Sequence, residues 1–300
     1  MNTPGRDIPV SFFYKFSGLP PWAVRAALAE FVANGQCQVV LGDGVMRDML
    51  RTFSLATSYR DWLADAGAVF KGAHSVFGPD DDLCCADEDL RPFMLENHKI
   101  CMEIAASFGA GTITLHAGRV TDYSVPMDKY VGNVYRSLDV LLPEAERLGL
   151  VICLENSWYQ TSTAAALLAY VGHYRSDSLG LCYDTGHANV MAGRNRAEAN
   201  RMWATFPGRE PEWNGHVLED LLPHVVVCHV HDNDGAVDGH LMPGRGTVDW
   251  GHVMPLLKSA PRLKSLEFEA FAGDSAATSF SIREAVENMR RLVLSDFPGA

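Results

Sequence analysis

The stretch VVVCHVHDNDGAVDGHLMPGRGTVDW, residues 225–250, joins an apolar run to a turn-rich segment. The run VVVCH has the length and composition of a buried strand that ends at His229. The segment 229–246 then holds three histidines and three aspartates together with glycines and a proline. It is therefore either a solvated loop or half of a metal site. Its tail, PGRGTVDW, is expected to start the next helix.

Seven other short apolar runs alternate with longer stretches of helical spacing, such as MDKYVGNVYRSLDVLLPEAERLG. All eight predicted strands are 8–16, 36–42, 68–74, 112–116, 150–155, 179–184, 225–229 and 263–269. This βα alternation predicts a parallel sheet. Eight strands close a barrel, so we expect an α/β fold, a (β/α)8 TIM barrel forming a single domain over 1–300. The rival is an open doubly wound sheet, but no GxGxxG follows the first strand.

The connection 191–214, between the sixth and seventh predicted strands, is longer than a minimal barrel requires. It places Trp203, Phe206, Pro207 and Trp213 in a polar context. Such a segment is either a surface excursion packed on its own aromatics or a functional insertion, namely a lid or a subunit contact in a homo-oligomer.

Composition restricts the class of protein. A net charge of −12 makes nucleic acid an unlikely partner, because phosphate contact needs clustered Lys and Arg. The seven cysteines form no CxxC pair, and several stand in apolar runs, which indicates buried thiols in a reducing compartment. The N-terminus has no signal-peptide pattern, and no apolar window approaches ~18 residues. We expect a soluble, cytoplasmic protein with no membrane partner.

Potential ligands stand at the ends of six consecutive predicted strands. They are His74, His116, Glu155, Asp184, His229 and Glu267. The C-terminal ends of barrel strands meet at one mouth, so these side chains are expected to converge. Each has an ordinary alternative explanation when taken alone, such as a helix cap for the aspartate of DTGH.

Several carboxylates buried together need a compensating cation. Glu155, Asp184, His229 and Glu267 would supply an oxygen-rich site with one imidazole. This set suits one divalent ion, Mn²⁺, Mg²⁺ or Co²⁺, and would accept Zn²⁺.

The loop after His229 is expected to return to the mouth. Asp232 is predicted to cap or orient the turn, and Asp238 and His240 to face the mouth. His231 is expected to alternate away from His229 and to have a structural role.

The motifs TLHAGR, CLEN, CYDTGH, CHVHDNDG, DGHLMPGRGTVDW and SLEFE resemble the xylose-isomerase-like TIM-barrel superfamily, over residues 68–270. It includes sugar phosphate isomerases and epimerases and the endonuclease IV type of apurinic-site nuclease. The resemblance implies a metal on Glu155, Asp184, His229 and Glu267, and a substrate contact from His187. Glu269 shares the face of Glu267, and the LE pairing favours Glu267.

The nuclease branch implies a larger ligand set around three zinc ions. Candidates stand at each corresponding place: His74, His116, Glu155, Asp184, His187, His229, Asp238, His240 and Glu267. The acidic charge, the HDNDG and PGRGTVDW motifs and the long 191–214 connection favour sugar chemistry. His240, however, stands where ketose epimerases carry an Arg before the PGxG turn, which points away from a standard ketose.

The expected activity is a metal-dependent isomerase or epimerase acting on a carbohydrate or similar hydroxy-carbonyl compound. Glu155 and Glu267 would move the proton through a metal-stabilised enediolate. His74, His116, His187 and His240 are candidate substrate contacts, and Arg245 is either a further contact or a loop residue. The alternatives are the zinc-dependent apurinic-site phosphodiesterase, a polyol dehydratase on the same scaffold, and a binding protein without turnover.

Overall fold

The computed structural model describes residues 8–120, 122, 124–203, 211–273 and 279–294, with the backbone alone for 201–203. Within these ranges eight strands form a closed barrel in which each strand pairs with its neighbours in chain order. Their bounds are β1 Val10–Phe12, β2 Gln38–Leu41, β3 Val69–His74, β4 Thr112–Leu115, β5 Val151–Glu155, β6 Leu179–Asp184, β7 Val225–Val230 and β8 Ser265–Phe268. All eight pairings are parallel. The predicted (β/α)8 TIM barrel is confirmed.

Helices follow the strands on the outside of the barrel. They are α1 Pro21–Ala33, α2 Asp43–Arg51, α3 Ser54–Ala66, α4 Arg91–Ser107, α5 Met127–Leu148, α6 Ala164–Tyr174, α7 Thr185–Met191, α8 Arg196–Trp203, α9 Val217–Leu221, α10 Trp250–Ser259 and α11 Ile282–Leu294. α10 begins where the PGRGTVDW tail was expected to start a helix, and the Asp249 side chain caps it by accepting from the His252 N–H.

The central strands are apolar on both faces because helices cover the outside and side chains fill the inside. Every residue of β4, β5, β6 and β7 is buried. Polar side chains enter this core at the strand ends. The register pairs Asp184 with His229 and His229 with Glu267, so neighbouring strands present these three residues at the same level.

The described part of the 191–214 connection packs on itself. The Arg196 guanidinium lies 5.2 Å from the centre of the Trp213 ring. Val190 and Ala199 form a small buried cluster against Trp213 and Trp158. Two residues of the predicted lid, Phe206 and Pro207, lie outside the described residues, as does the side chain of Trp203. A lid or subunit-contact role remains a prediction.

All seven cysteines are free, and all except Cys37 are buried. This confirms that Cys153, Cys182 and Cys228, the cysteines of three predicted strands, are small core residues, whereas Cys37 in the predicted strand 36–42 is exposed. In the part of the chain that the structure covers, no helix has the length and apolar character that crossing a membrane requires.

Candidate metal and active site

The C-terminal mouth of the barrel collects imidazoles and carboxylates from six strands and from the loop after β7. The group comprises His74, His116, Glu155, Asp184, His187, His229, Asp238, His240, Glu267 and Glu269. Each histidine of the group has a ring nitrogen within 4.0 Å of a carboxylate oxygen of the group, and each carboxylate lies as close to a histidine. The predicted convergence of the strand-end residues therefore occurs.

The centre of the cluster is the Nδ1 atom of His229. It lies 2.9 Å from Glu269 Oε2, 3.5 Å from Glu155 Oε2 and 3.8 Å from Asp184 Oδ2. His229 Nδ1 and Glu269 Oε2 are both buried and have no hydrogen-bond partner among the described residues. One imidazole nitrogen and three carboxylates thus face a common point from four strands.

Glu267 approaches the same imidazole from its other side. Its Oε2 atom lies 3.5 Å from His229 Nε2, and its Oε1 accepts a hydrogen bond from Ser265 Oγ at 3.2 Å. Gly72 leaves room for this carboxylate, because a Cβ there would lie 2.3 Å from Glu267 Oε1. The structure does not bring Glu267 together with Asp184 and Glu155. Glu269, two residues nearer the mouth, joins Asp184 and His229 instead.

Two histidines flank Glu155 on the β3 and β4 side. His74 Nε2 lies 3.4 Å and His116 Nε2 3.1 Å from Glu155 Oε2. His74 Nδ1 lies 2.8 Å from the Ser75 carbonyl oxygen, which can only accept, so Nδ1 carries a proton. The bond from Nε2 to Glu155 requires a second proton on the ring of the metal-free protein, and although burial lowers the pKa of His74, Glu155 raises it above its ordinary value.

A similar arrangement surrounds Asp238 on the opposite side of the centre. Asp238 Oδ2 lies 3.4 Å from His187 Nε2 and 3.1 Å from His240 Nε2. His187 Nδ1 donates to the Asn156 carbonyl at 2.8 Å, and His240 Nδ1 donates to the Glu269 carbonyl at 2.9 Å. The Nε2 lone pairs of His187 and His240 would thus face the Asp238 carboxylate. Protons on these nitrogens, or a cation between the three groups, remove the repulsion between the lone pairs and the carboxylate.

Asp232 organises the loop that carries Asp238 and His240 back to the mouth. Its Oδ1 accepts from the Val248 N–H at 3.0 Å. Its Oδ2 accepts from the Gly244 N–H at 2.8 Å and the Trp250 Nε1–H at 3.0 Å. The predicted orienting role of Asp232 is confirmed.

His231 corrects one expectation. The sequence prediction that it points away from His229 is wrong, because residues two apart in a strand share a face. Its Nε2 atom lies 3.0 Å from each carboxylate oxygen of Asp184, inside the mouth. Arg245 lies outside the cluster, since its Nη1 donates to the Ser279 carbonyl oxygen at 2.9 Å.

Asn156 is a site residue that the sequence interpretation missed. Its side-chain oxygen accepts from the Asp184 N–H at 2.7 Å, and its Nδ2 donates to the Asp184 carbonyl at 3.1 Å. Asp184 also caps α7, accepting from the His187 N–H at 2.6 Å. The ordinary reading of DTGH as a helix cap and its reading as a cluster residue are therefore both right. The signal for Asn156 was its place directly after Glu155 in CLEN.

The family can now be identified. The model of the xylose isomerase-like TIM barrel family matches residues 43–292. The chain belongs to this family. Its fold and the strand-end position of its polar cluster agree with the match.

Several individual proteins also resemble the chain. It is 26% identical over 174 residues to an uncharacterized protein of Sinorhizobium fredii, a match covering 56% of this chain and 50% of that protein. It is 25% identical over 223 residues to fructoselysine 3-epimerase of Escherichia coli O157:H7, covering 72% of each. The structure of D-allulose 3-epimerase from Methylomonas sp. superposes with a TM-score of 0.72 over 99% of this chain and 100% of that chain. At 14% identity that likeness shows the fold alone. The chain thus spans about half the length of the first of these relatives.

Neighbouring histidines lower the pKa values of two buried carboxyl groups in the cluster by more than burial raises them. Burial alone would raise the pKa of Glu155, but His229 and His116 hold that pKa well below its ordinary value. Burial would likewise raise the pKa of Glu269, which His229 instead lowers to about 2. Glu155 and Glu269 are therefore ionised, and they rely on nearby positive charge.

The cluster fits a divalent cation by its donor chemistry. The ion could be held by three carboxylates and one imidazole, those of Glu155, Asp184, Glu269 and His229. Several divalent metals bind such a combination of oxygen and nitrogen ligands. The Cys182 thiol lies close to the ligand atoms of Glu155 and His229. Burial raises the pKa of this thiol to about 12, and a neutral thiol is a poor metal ligand.

The His240–Asp238 pair predicts how the stability of the metal-free protein depends on pH. Burial lowers the pKa of His240, but the bond to Asp238 outweighs it and raises the pKa from 6.5 to about 9. Stability from this pair is complete below pH 6.5 and is lost as the pH rises through about 9. Chelator-treated protein should therefore lose unfolding free energy over this window, by up to about 3 kcal/mol.

The measurement is urea unfolding followed by circular dichroism at several pH values. Asp238→Asn should flatten the profile over this window, and Asp61→Asn, a change at an exposed aspartate of α3, should leave it unaltered. An Asp238→Asn profile with the wild-type slope would contradict the assignment.

Proposed function

We propose that the protein is a divalent-metal-dependent isomerase or epimerase of a sugar or sugar-like hydroxy-carbonyl compound. One observation carries the proposal: Glu155, Asp184 and Glu269 converge on His229 Nδ1 in a buried mouth. Such a set both binds a cation and offers carboxylates as acid and base.

Similar proteins favour sugar chemistry. One relative is a fructoselysine 3-epimerase, and one structure of the same fold is a D-allulose 3-epimerase. The net charge of −12 suits a small polyhydroxy substrate better than a polyanionic backbone. Side chains of the loops around the mouth would select among sugars.

The proposed ligands are Glu155, Asp184, His229 and Glu269, holding one Mn²⁺, Mg²⁺ or Co²⁺, with Zn²⁺ as an accepted substitute. Glu269 takes the place that the sequence favoured for Glu267. Its Oε2 atom lies 2.9 Å from His229 Nδ1, the nitrogen that Glu155 and Asp184 also face, whereas Glu267 faces the opposite ring nitrogen. A role for Glu267 in orienting His229 follows, with His229 Nε2–H donating toward it.

Glu155 and Glu269 are the proposed proton carriers. Glu155 ends β5 and Glu269 directly follows β8, three strands away in the closed barrel, so they reach a bound substrate from different sides. One removes the proton beside the carbonyl and the other, or the same one, returns it. Return to the opposite face gives epimerisation, and return to the neighbouring carbon gives isomerisation. A bound divalent cation would supply positive charge that stabilises the negative charge left by proton removal.

Four histidines are proposed to accept hydrogen bonds from substrate hydroxyls. His74, His187 and His240 each donate Nδ1–H to a backbone carbonyl, which turns the Nε2 lone pair toward the mouth. His116 presents Nε2 beside His74. Arg245 is left out of this set, because its guanidinium lies on the Ser279 carbonyl oxygen.

Aromatic rings provide apolar walls for the proposed substrate cavity. Phe13 meets the His229 ring edge-on at 5.2 Å, and Trp158 meets the His187 ring at 4.8 Å. Apolar walls of this kind exclude water and strengthen electrostatic interactions within the site.

A second candidate function is hydrolysis of a phosphoester at an apurinic site by a zinc centre of several ions. The observation that favours it is the convergence of His187 Nε2 and His240 Nε2 on Asp238 Oδ2, which would suit a further cation. Against it, in the described parts of the chain no Lys or Arg pairs with the cluster carboxylates. Zn²⁺-dependent cleavage of a duplex containing an abasic site would favour this candidate.

The first test of the proposed function is proton exchange. Wild-type protein loaded with Mn²⁺ is incubated with a panel of ketoses, aldoses and hydroxy-aldehydes in deuterated water, and carbon-bound deuterium is measured by NMR. Glu155→Gln should slow exchange by about 10²- to 10⁴-fold, because Gln cannot accept the proton. Glu96→Gln, at an exposed position of α4, is the control.

Wild-type exchange rates in Glu155→Gln would contradict the role of Glu155. A product with new ultraviolet absorbance would instead indicate the dehydratase.

The second test separates the two glutamates of SLEFE. Glu269→Gln should weaken Mn²⁺ binding by at least about 100-fold, since it removes a ligand charge, whereas Glu267→Gln should weaken it by about 10-fold or less. The measurement is titration calorimetry on chelator-treated protein. The reverse order of the two variants would restore Glu267 as the ligand.

A further inference from the structure

His231 is a fully buried histidine directly after β7 that the proposed reaction does not use. One hydroxyl fixes its backbone: Thr185 Oγ1 accepts from the His231 N–H at 3.0 Å and donates to the His231 carbonyl oxygen at 2.6 Å. Because Thr185 follows Asp184 in the chain, these two bonds tie His231 to the start of α7.

The protonation of the His231 ring follows from its partner. Nε2 lies 3.0 Å from both oxygens of Asp184, and an ionised carboxylate can only accept. Nε2 therefore carries the proton. The other ring nitrogen, Nδ1, is buried without a hydrogen-bond partner among the described residues.

This donor sets the rotation of the Asp184 carboxylate. The His231 Nε2–H is shared by both oxygens at 3.0 Å. Oδ1 also accepts from the His187 N–H at 2.6 Å, and Oδ2 lies 3.8 Å from His229 Nδ1. The shared donor and the His187 N–H thus hold the carboxylate with Oδ2 toward the centre of the cluster.

Gly186 makes room for the His231 ring. A Cβ at this position would lie 2.0 Å from His231 Cε1 and 2.6 Å from Nδ1, so no side chain fits without moving the ring. The glycine of DTGH therefore serves the contact between His231 and Asp184.

The His231 ring also stacks on His240, with centroids 4.1 Å apart and planes at 13°. Imidazole lone pairs lie in the plane of the ring. Two parallel, stacked rings cannot both aim a lone pair at one ion, so His231 and His240 are not joint ligands, although their nitrogens and Glu269 lie within 4.8 Å of one another. The stack instead supports the face of His240.

We propose that His231 is a positioning residue that holds Asp184 in its ligand orientation by donating from Nε2, and that its ring supports His240. The proposal rests on the proposed metal-dependent function. It assigns His231 no contact with the cation or with the substrate.

Two substitutions separate the donor from the ring. His231→Gln keeps an N–H near the position of Nε2, and His231→Phe keeps the stacked ring without a donor. Titration calorimetry of chelator-treated protein with Mn²⁺ should show about 10- to 100-fold weaker binding for His231→Phe and recovery to within about 3-fold of wild type for His231→Gln. His252→Gln is the control, because it removes a 2.9 Å imidazole–carboxylate bond to Glu219 away from the cluster.

Wild-type affinity in folded His231→Phe would overturn the proposal, and so would a His231→Gln variant as weak as His231→Phe. If His231→Phe does not fold, the tautomer of the His231 ring, measured by NMR, carries the test.

A second measurement requires no metal. Nitrogen NMR of histidine-labelled, metal-free protein at about pH 8, above the ordinary histidine pKa, should show His231 as the Nε2–H tautomer. His231→Gln identifies the signal by its loss. An Nδ1–H tautomer would overturn the proposal. If wild-type protein binds no Mn²⁺, the proposed metal centre fails, and the tautomer still decides whether His231 donates to Asp184.

Discussion

The interaction on which the site depends is the crowding of carboxylates around one buried imidazole. Glu155, Asp184 and Glu269 face His229 Nδ1, and Glu267 faces Nε2 of the same ring. Like charges in a buried mouth repel unless positive charge lies among them. In the metal-free chain protonated imidazoles supply that charge, as the raised pKa of His229 indicates. A divalent cation would supply two positive charges at one point. The histidines could then lose their second proton and act as hydrogen-bond acceptors.

The barrel backbone determines which nitrogen of each histidine is used. Carbonyl oxygens of Ser75, Asn156 and Glu269 accept from Nδ1 of three rings and leave Nε2 toward the mouth. His231 reverses this pattern, donating from Nε2 to a carboxylate. The difference separates rings that can contact a substrate or cation from a ring that positions its neighbour, and it follows from where strands and loops place backbone oxygens.

Much of the fold could be predicted from sequence, because eight apolar runs at regular spacing and a ligand at the end of each later run imply a barrel mouth. The sequence did not indicate how far below the mouth of the barrel each of these side chains lies. Glu267 and Glu269 share a face, and only three-dimensional packing against Gly72 and Ser265 shows that Glu267 lies on the far side of His229. The prediction for His231 was wrong because residues two apart in a strand share a face, so His231 lies on the same side as His229. The lid proposed for 191–214 rests partly on residues that the structure does not describe.

The measurement that tests the central claim most directly is the metal content of the purified protein, by plasma mass spectrometry at known protein concentration, before and after dialysis against Mn²⁺. We predict about one divalent ion per chain, in keeping with a single four-ligand centre. Protein that retains no divalent ion after dialysis would contradict it. Two or three tightly held zinc ions per chain would also contradict the single centre and favour the phosphoesterase.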